Sequence, residues 1–198
     1  MKNNIFKLLS IIFFFNALAA ENLNIKSSEI SIDKNNNLTI FRGKVVATDS
    51  MNNIFKSEYA EYKKDFKLLT SQDKTTILTS QGYFLTGKNI TFDNKNNLIK
   101  SNDKAIIVDL EKNNIFLENF EYKTDENFFK SVGKVKVIDS KENIYNFSQV
   151  YIDEKKKEIV GTDIKAFLNK KSFKVNDNNK PRVFANAVKI EKEKSEFI

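Results

Sequence analysis

Apolar and polar residues alternate along most of this chain, and the alternation itself repeats. Four stretches carry it most clearly: Ser57–Tyr62, Gly87–Phe92, Leu117–Tyr122 and Phe147–Ile152. Each ends in an apolar–polar–apolar triplet or nearly so, and their last residues, Tyr62, Phe92, Tyr122 and Ile152, stand 30 positions apart. A polar turn follows each, then a second apolar pair: Leu68-Leu69, Leu98-Ile99, Phe128-Phe129 and Ile159-Val160. A fixed period of this length marks stacked supersecondary units. The alternation of two inside each unit predicts strands rather than helices. Gly43-Lys44-Val45 and Gly133-Lys134-Val135 match in register three periods apart.

The turns are built from residues that bond their own backbone or tolerate left-handed conformations. Asp49–Asn53, Lys63–Asp65, Asn94–Asn97, Glu111–Asn114, Thr124–Asn127, Ser140–Asn143 and Asp153–Lys157 recur about every 15 residues, and Gln81-Gly82 stands where one more is due. Strands of roughly 8–10 residues lie between them, longer than the usual strand, and predict one long, regularly wound β-sheet. Gly43 inside an apolar strand marks a bulge or bend. Residues 1–20 read as a secretory signal peptide. Lys2 and Lys7 precede the run Leu8–Phe15, and Ala17-Leu18-Ala19 offers a cleavage site. The repeat domain is expected over 21–175. The segment 176–198 holds the only proline, Pro181, and reads as a linker or a final strand.

Composition narrows the chemistry. The 198 residues carry 33 basic and 26 acidic side chains, a net charge of +7. Only Arg42 and Arg182 are arginines, and the lysines are scattered among acids, which speaks against nucleic acid as a partner. The excess positive charge suits anionic headgroups or sugar phosphates. The chain has no cysteine and no histidine. Disulfides, thiol nucleophiles, imidazole bases and the usual zinc sites are therefore unavailable. Ser50 and Ser140 follow Asp49 and Asp139 in turns with no base partner, and no carboxylate pair stands out. No catalytic residue, metal or cofactor is expected, and a binding module is favoured over an enzyme.

Residues two apart on a strand share a face. Stacked copies therefore set Tyr62, Ile90, Phe92, Phe120, Tyr122, Val150 and Ile152 along one wall, with Glu61, Thr91 and Glu121 turned away. This ladder is the candidate lipid-binding site, a groove for acyl chains. The alternative is a sealed core in a structural β-solenoid or adhesin-like surface repeat with no ligand.

The order Phe41-x-Gly43-Lys44-Val45, a turn, Ser57–Tyr62 and then Leu68-Leu69 resembles the OstA-like (organic-solvent-tolerance) repeat of the lipopolysaccharide-transport proteins. The likeness covers about residues 23–170. Lys44 and Lys134 stand where that family usually has asparagine, and Glu58 where it has aspartate. The resemblance implies an elongated antiparallel β-jelly-roll, V-shaped in section with open ends, that holds lipid A acyl chains of lipopolysaccharide and passes them across the periplasm toward the outer membrane. It also implies head-to-tail pairing with other OstA-like proteins through edge strands. Further implied partners are an outer-membrane barrel or an inner-membrane transport complex. Pro181–Asn186 resembles the segment joining a translocon's periplasmic domain to its barrel, which implies tethering to the outer membrane; the free-standing bridge protein is the other member that fits.

Overall fold

A computed structural model describes residues 23–169 and 181–191. The expected signal peptide over 1–20 and, of the segment 176–198, residues 176–180 and 192–198 lie outside the described residues. The protein is all-β, a 16-stranded antiparallel sheet. Its strands are β1 (Leu23–Lys26), β2 (Glu29–Asp33), β3 (Leu38–Asp49), β4 (Ile54–Lys63), β5 (Leu68–Ser71), β6 (Thr75–Leu78), β7 (Phe84–Gly87) and β8 (Ile90–Asp93). They continue as β9 (Leu98–Ser101), β10 (Ala105–Val108), β11 (Asn114–Leu117), β12 (Phe120–Lys123), β13 (Phe128–Ile138), β14 (Ile144–Asp153), β15 (Glu158–Phe167) and β16 (Arg182–Glu191). Among the described residues a 3-10 turn, Lys64–Phe66, interrupts them.

The strands are passes of one meander, each bent in the middle. β3, β4 and β13 to β16 cross the bend as continuous strands of 10–12 residues. The central passes are broken there into four-residue pieces, β5 then β6, β7 then β8, β9 then β10, β11 then β12. The expectation of uninterrupted strands of about 8–10 residues therefore holds for β3, β4 and β13 to β16 and fails in the first pass, β1 then β2, and in the middle of the sheet. There Gln72-Asp73-Lys74, Lys88-Asn89, Asn102-Asp103-Lys104 and Glu118-Asn119 turn the corner outside the ladder of backbone hydrogen bonds.

Pairing divides the passes into two walls. The last residues of β4 pair with β5, and the ladder runs on through β8, β9 and β12 to the first residues of β13. The first residues of β4 pair with β6, and a second ladder runs through β7, β10 and β11 to the last residues of β13. Both ladders start and finish on the same strands. The meander is thus folded lengthwise along its line of corners into a V-shaped jelly-roll, with hairpin turns along both free edges.

Two glycines bend the continuous strands. The register of β3 against β4 shifts between Arg42 and Val45, and that of β13 against β14 between Val132 and Val135. These are the bulge at Gly43 (φ 71°) and its counterpart at Gly133 (φ 131°), conformations glycine adopts without a Cβ penalty. The period reappears in the backbone of the turns. Asn37, Lys67, Asn97, Asn127 and Lys157 are all left-handed on one edge, and Asn52, Gly82, Lys112 and Glu142 on the other. The core fills the space between the walls, and β16 extends the sheet on β15.

Candidate functional site

The inner face of the first wall is a row of cross-strand neighbours. Tyr62 lies opposite Leu69, Leu69 opposite Phe92, Phe92 opposite Ile99, Ile99 opposite Tyr122, Tyr122 opposite Phe129, and Phe129 opposite Ile152. Such pairs are the unit of sheet stabilisation. Of the seven candidate residues, Tyr62, Ile90, Phe92, Phe120, Tyr122 and Val150 are buried, and Ile152 is half-buried against them. Glu61, Thr91 and Tyr151 are half-buried and Glu121 is exposed. All seven therefore stand on one inward face. Phe120 stacks on Phe129 with ring centroids 6.3 Å apart and planes 10° apart.

The second wall supplies the other half of the interior. Phe55, Ile77, Leu85, Ile107, Ile115 and Leu117 are buried against the first wall's row. The seven-residue ladder leaves these out, although the same period carries them: Phe55, Leu85 and Ile115 stand 30 apart, as do Ile77 and Ile107. What hides them is the corner. A strand that changes wall in mid-course puts its two halves on facing surfaces.

A cavity of about 40 Å³ remains between the walls, lined by Ile77, Leu85 and Ile107 on one side and Ile99, Phe120 and Phe129 on the other. It has room for a few waters and falls far short of the roughly 150 Å³ that seats a benzene ring. Toward the free edges Thr79, Tyr83, Asn127 and Glu154 also border it, with apolar atoms facing the cavity. Tyr83 belongs to a turn of the second wall and Glu154 to a turn of the first. The Tyr83 hydroxyl donates a hydrogen bond to the Glu154 carboxylate, so this pair clasps the two edges together. Burial, then the Glu154 hydrogen bond and charge, push the Tyr83 phenol well above its ordinary range. Tyr122 is pushed up to about 12, by burial first and then by the charges of Asp49 and Glu154. Its hydroxyl donates to Asn127 Oδ1 at 3.2 Å.

The repeat explains why Tyr83 is unusual. On the second wall's edge each turn opens on an acid and closes four residues later on an asparagine: Asp49 with Asn53, Asp109 with Asn113, Asp139 with Asn143. The Asp49 carboxylate accepts from the Met51 and Asn53 amides at 2.9 and 2.7 Å and from Asn53 Nδ2 at 2.7 Å. Asp109 and Asp139 do the same in their turns. Each asparagine Oδ1 then accepts the backbone amide of the next turn: Ser80 to Asn53, Ser140 to Asn113, Asn169 to Asn143. In the turn Thr79–Tyr83 a threonine replaces the acid and a tyrosine the asparagine, which frees that side chain to reach across to the opposite wall. Asp49 and Asp139, paired with Ser50 and Ser140 in sequence, are thus turn-closing groups. Among the described residues no cluster of acids has metal-site spacing.

The walls are open at the N-terminal end of the sheet. Ile30 pairs with Phe41 and Ile32 with Thr39, so both share the inward face of Ala60 and Tyr62. They are nonetheless 57% and 68% exposed, because β2 is the last strand of the first wall on that side. At the far end Val183, opposite buried Ala166, is exposed in the same way.

No described protein family and no curated protein matches this chain. Among solved structures 11 chains match. One is LptH of Pseudomonas aeruginosa, described as the LptA-homologous periplasmic component of the lipopolysaccharide transport device, at 14% identity and a TM-score of 0.27, with 82% of this chain and 94% of that chain covered.

Proposed function

We propose that this chain is a lipopolysaccharide-binding module of a cell-envelope transport pathway, holding acyl chains between its two walls and passing them along the inner row toward the outer membrane. The observation that carries this reading is the continuous apolar inner face, which runs across the whole sheet and stays open to solvent at the end, at Ile30 and Ile32. A soluble domain seldom leaves inward-facing isoleucines uncovered unless something docks there. The repeat's resemblance to the OstA-like proteins supplies the identity of the ligand and the periplasmic setting. Neighbouring modules of like build would cover the open ends, pairing on β2 and β16. An outer-membrane barrel or an inner-membrane complex would bound the chain of modules.

The cavity between the walls is about 40 Å³. Acyl chains therefore enter by parting the walls at their free edges. The corner line acts as hinge and the Tyr83–Glu154 clasp as the contact that must open. Each methylene buried contributes about 0.8 kcal/mol, which offsets the exposure of the facing wall. Tyr62, Ile90, Phe92, Phe120, Tyr122, Val150 and Ile152 are the residues that take the chains. The packed interior equally suits a sealed structural repeat, and one experiment separates the two. A photoreactive phenylalanine analogue is placed at Phe120 or at Glu121, and the folded protein is irradiated with labelled lipopolysaccharide. Adduct at 120 and none at 121 supports binding between the walls. No adduct at either position rejects it in favour of the sealed repeat.

A further inference from the structure

The two walls differ on their outer faces. On the first wall charges of both signs mix: Glu61 and Glu121 share a row with Lys100 and Lys130, and Asp93 and Asp153 flank Lys123. On the second wall the two outward rows run from Thr48 to Arg182 and from Val46 to Phe184 without an acid. They carry Lys56, Lys136, Lys165 and Arg182 instead. Between these cations stand large exposed side chains: Leu78 (42%), Phe84 (44%), Ile106 (40%), Phe116 (36%) and Phe184 (60%). Lys136 Nζ sits 6.0 Å from the Phe116 ring centroid, and the Arg182 guanidinium 5.6 Å from that of Phe167. The cationic heads thus rise above aromatic bodies. Acids border the rows at the corners, at Glu58, Asp73, Asp103, Glu118 and Asp163, and in the edge turns, at Asp109, Glu111, Asp139 and Glu142.

We infer that the outer face of the second wall docks on the surface of an anionic lipid bilayer. Exposed cationic side chains interleaved with exposed apolar and aromatic ones match a headgroup region. An anionic surface attracts each such lysine or arginine. The pattern disfavours a second copy as occupant, since face-to-face packing would set lysine against lysine. Docking on this face leaves the mixed-charge first wall to solvent.

The test is co-sedimentation of the full chain with vesicles of phosphatidylcholine and phosphatidylglycerol, against pure phosphatidylcholine. Lys56→Gln/Lys136→Gln should lower partition into the anionic vesicles by about 30-fold at low salt. Lys63→Gln/Lys100→Gln on the first wall, with the same change in net charge, should lower it by less than about threefold. Phe84→Ser/Phe116→Ser should weaken binding while circular dichroism stays unchanged. Equal losses from both lysine pairs would reduce the effect to net charge and overturn the assignment to this face. So would equal binding of every variant to pure phosphatidylcholine, which would trace it to the apolar run before Ala20. Concentration-dependent dimers in sedimentation velocity, broken by Phe84→Ser/Phe116→Ser in a chain that ignores vesicles, would name a second copy as the occupant instead.

Discussion

Replacing Tyr83 by Phe deletes one oxygen and keeps the ring that lines the cavity. The deleted hydroxyl donates to the Glu154 carboxylate across the free edges of the two walls. A hydrogen bond to a charged group contributes about 1.5–3 kcal/mol, and both partners here are half-buried, which places this one at the lower end, near ~1.5 kcal/mol. If the bond exists only while the walls are closed, its loss raises the opening equilibrium about tenfold. A ligand that needs the open form then gains about the same factor in apparent affinity, as long as the open form stays in the minority. The native state loses the same bond relative to the unfolded chain, so the melting midpoint should fall by about 3–6 °C. Titration of Tyr83→Phe with fluorescent lipopolysaccharide, beside a thermal melt, reads both numbers. Tighter binding with a lower midpoint is the expected pair. A lower midpoint with unchanged or weaker binding would mean that the clasp is structural and that ligand does not pass it.

Two further predictions follow from the packing and the phenols. Tyr59, Tyr83, Tyr122 and Tyr145 all have their folded pKa raised, Tyr122 to about 12; a raised phenol contributes stability that is fully present below about pH 10 and is lost as pH rises through the folded value. Urea midpoints should therefore stay level up to about pH 10 and fall above it, with a shallower fall in Tyr83→Phe; phenolate absorbance from all of these tyrosines in the folded protein below pH 10 would contradict this. At Gly161 a Cβ would stand 2.5 Å from Phe147 Cδ1 and 2.7 Å from Cε1, so Gly161→Ala should cost about 1–3 kcal/mol in chemical unfolding. Phe147→Leu in the same chain should recover most of that loss, and an additive double mutant would show that the ring is not the obstacle.

Much of this architecture is legible in the chain because its period is fixed. The inward set from Tyr62 to Ile152 follows from alternation alone, since a buried face penalises any slip in register. The glycine at 43 announces its bulge because a glycine inside an apolar strand gives up packing for a backbone it takes without strain. The division into two walls follows in the sequence only from the resemblance, although the residues carry a direct signal for it. Ser71-Gln72-Asp73-Lys74 and Ser101-Asn102-Asp103-Lys104 repeat at the corner 30 residues apart, and Ser131 continues the series at the third pass. All three serines are buried. Ser71 bonds Ser57 Oγ at 2.7 Å, Ser101 donates to the Lys88 carbonyl at 2.8 Å, and Ser131 to that of Asn119 at 2.7 Å. A buried serine every 30 residues beside an apolar ladder marks a chain turning where its backbone leaves the sheet. The clasp is less visible. Tyr83 shows itself in sequence only as a tyrosine in a column of asparagines, and its partner lies 71 residues away on the opposite edge. Only the folding of one wall onto the other brings them together.

Entry of acyl chains where the walls part at their free edges is tested most directly by a removable tether across those edges. The chain has no cysteine, so Tyr83→Cys/Glu154→Cys carries the only two thiols and can be bridged by a cleavable bis-maleimide. Bridged protein should keep its circular dichroism and lose the lipopolysaccharide adduct at position 120, and cleavage of the bridge should restore it. Undiminished adduct at 120 in the bridged protein would contradict access through the mouth and move the route of the acyl chains to the open ends at Ile30 and Val183.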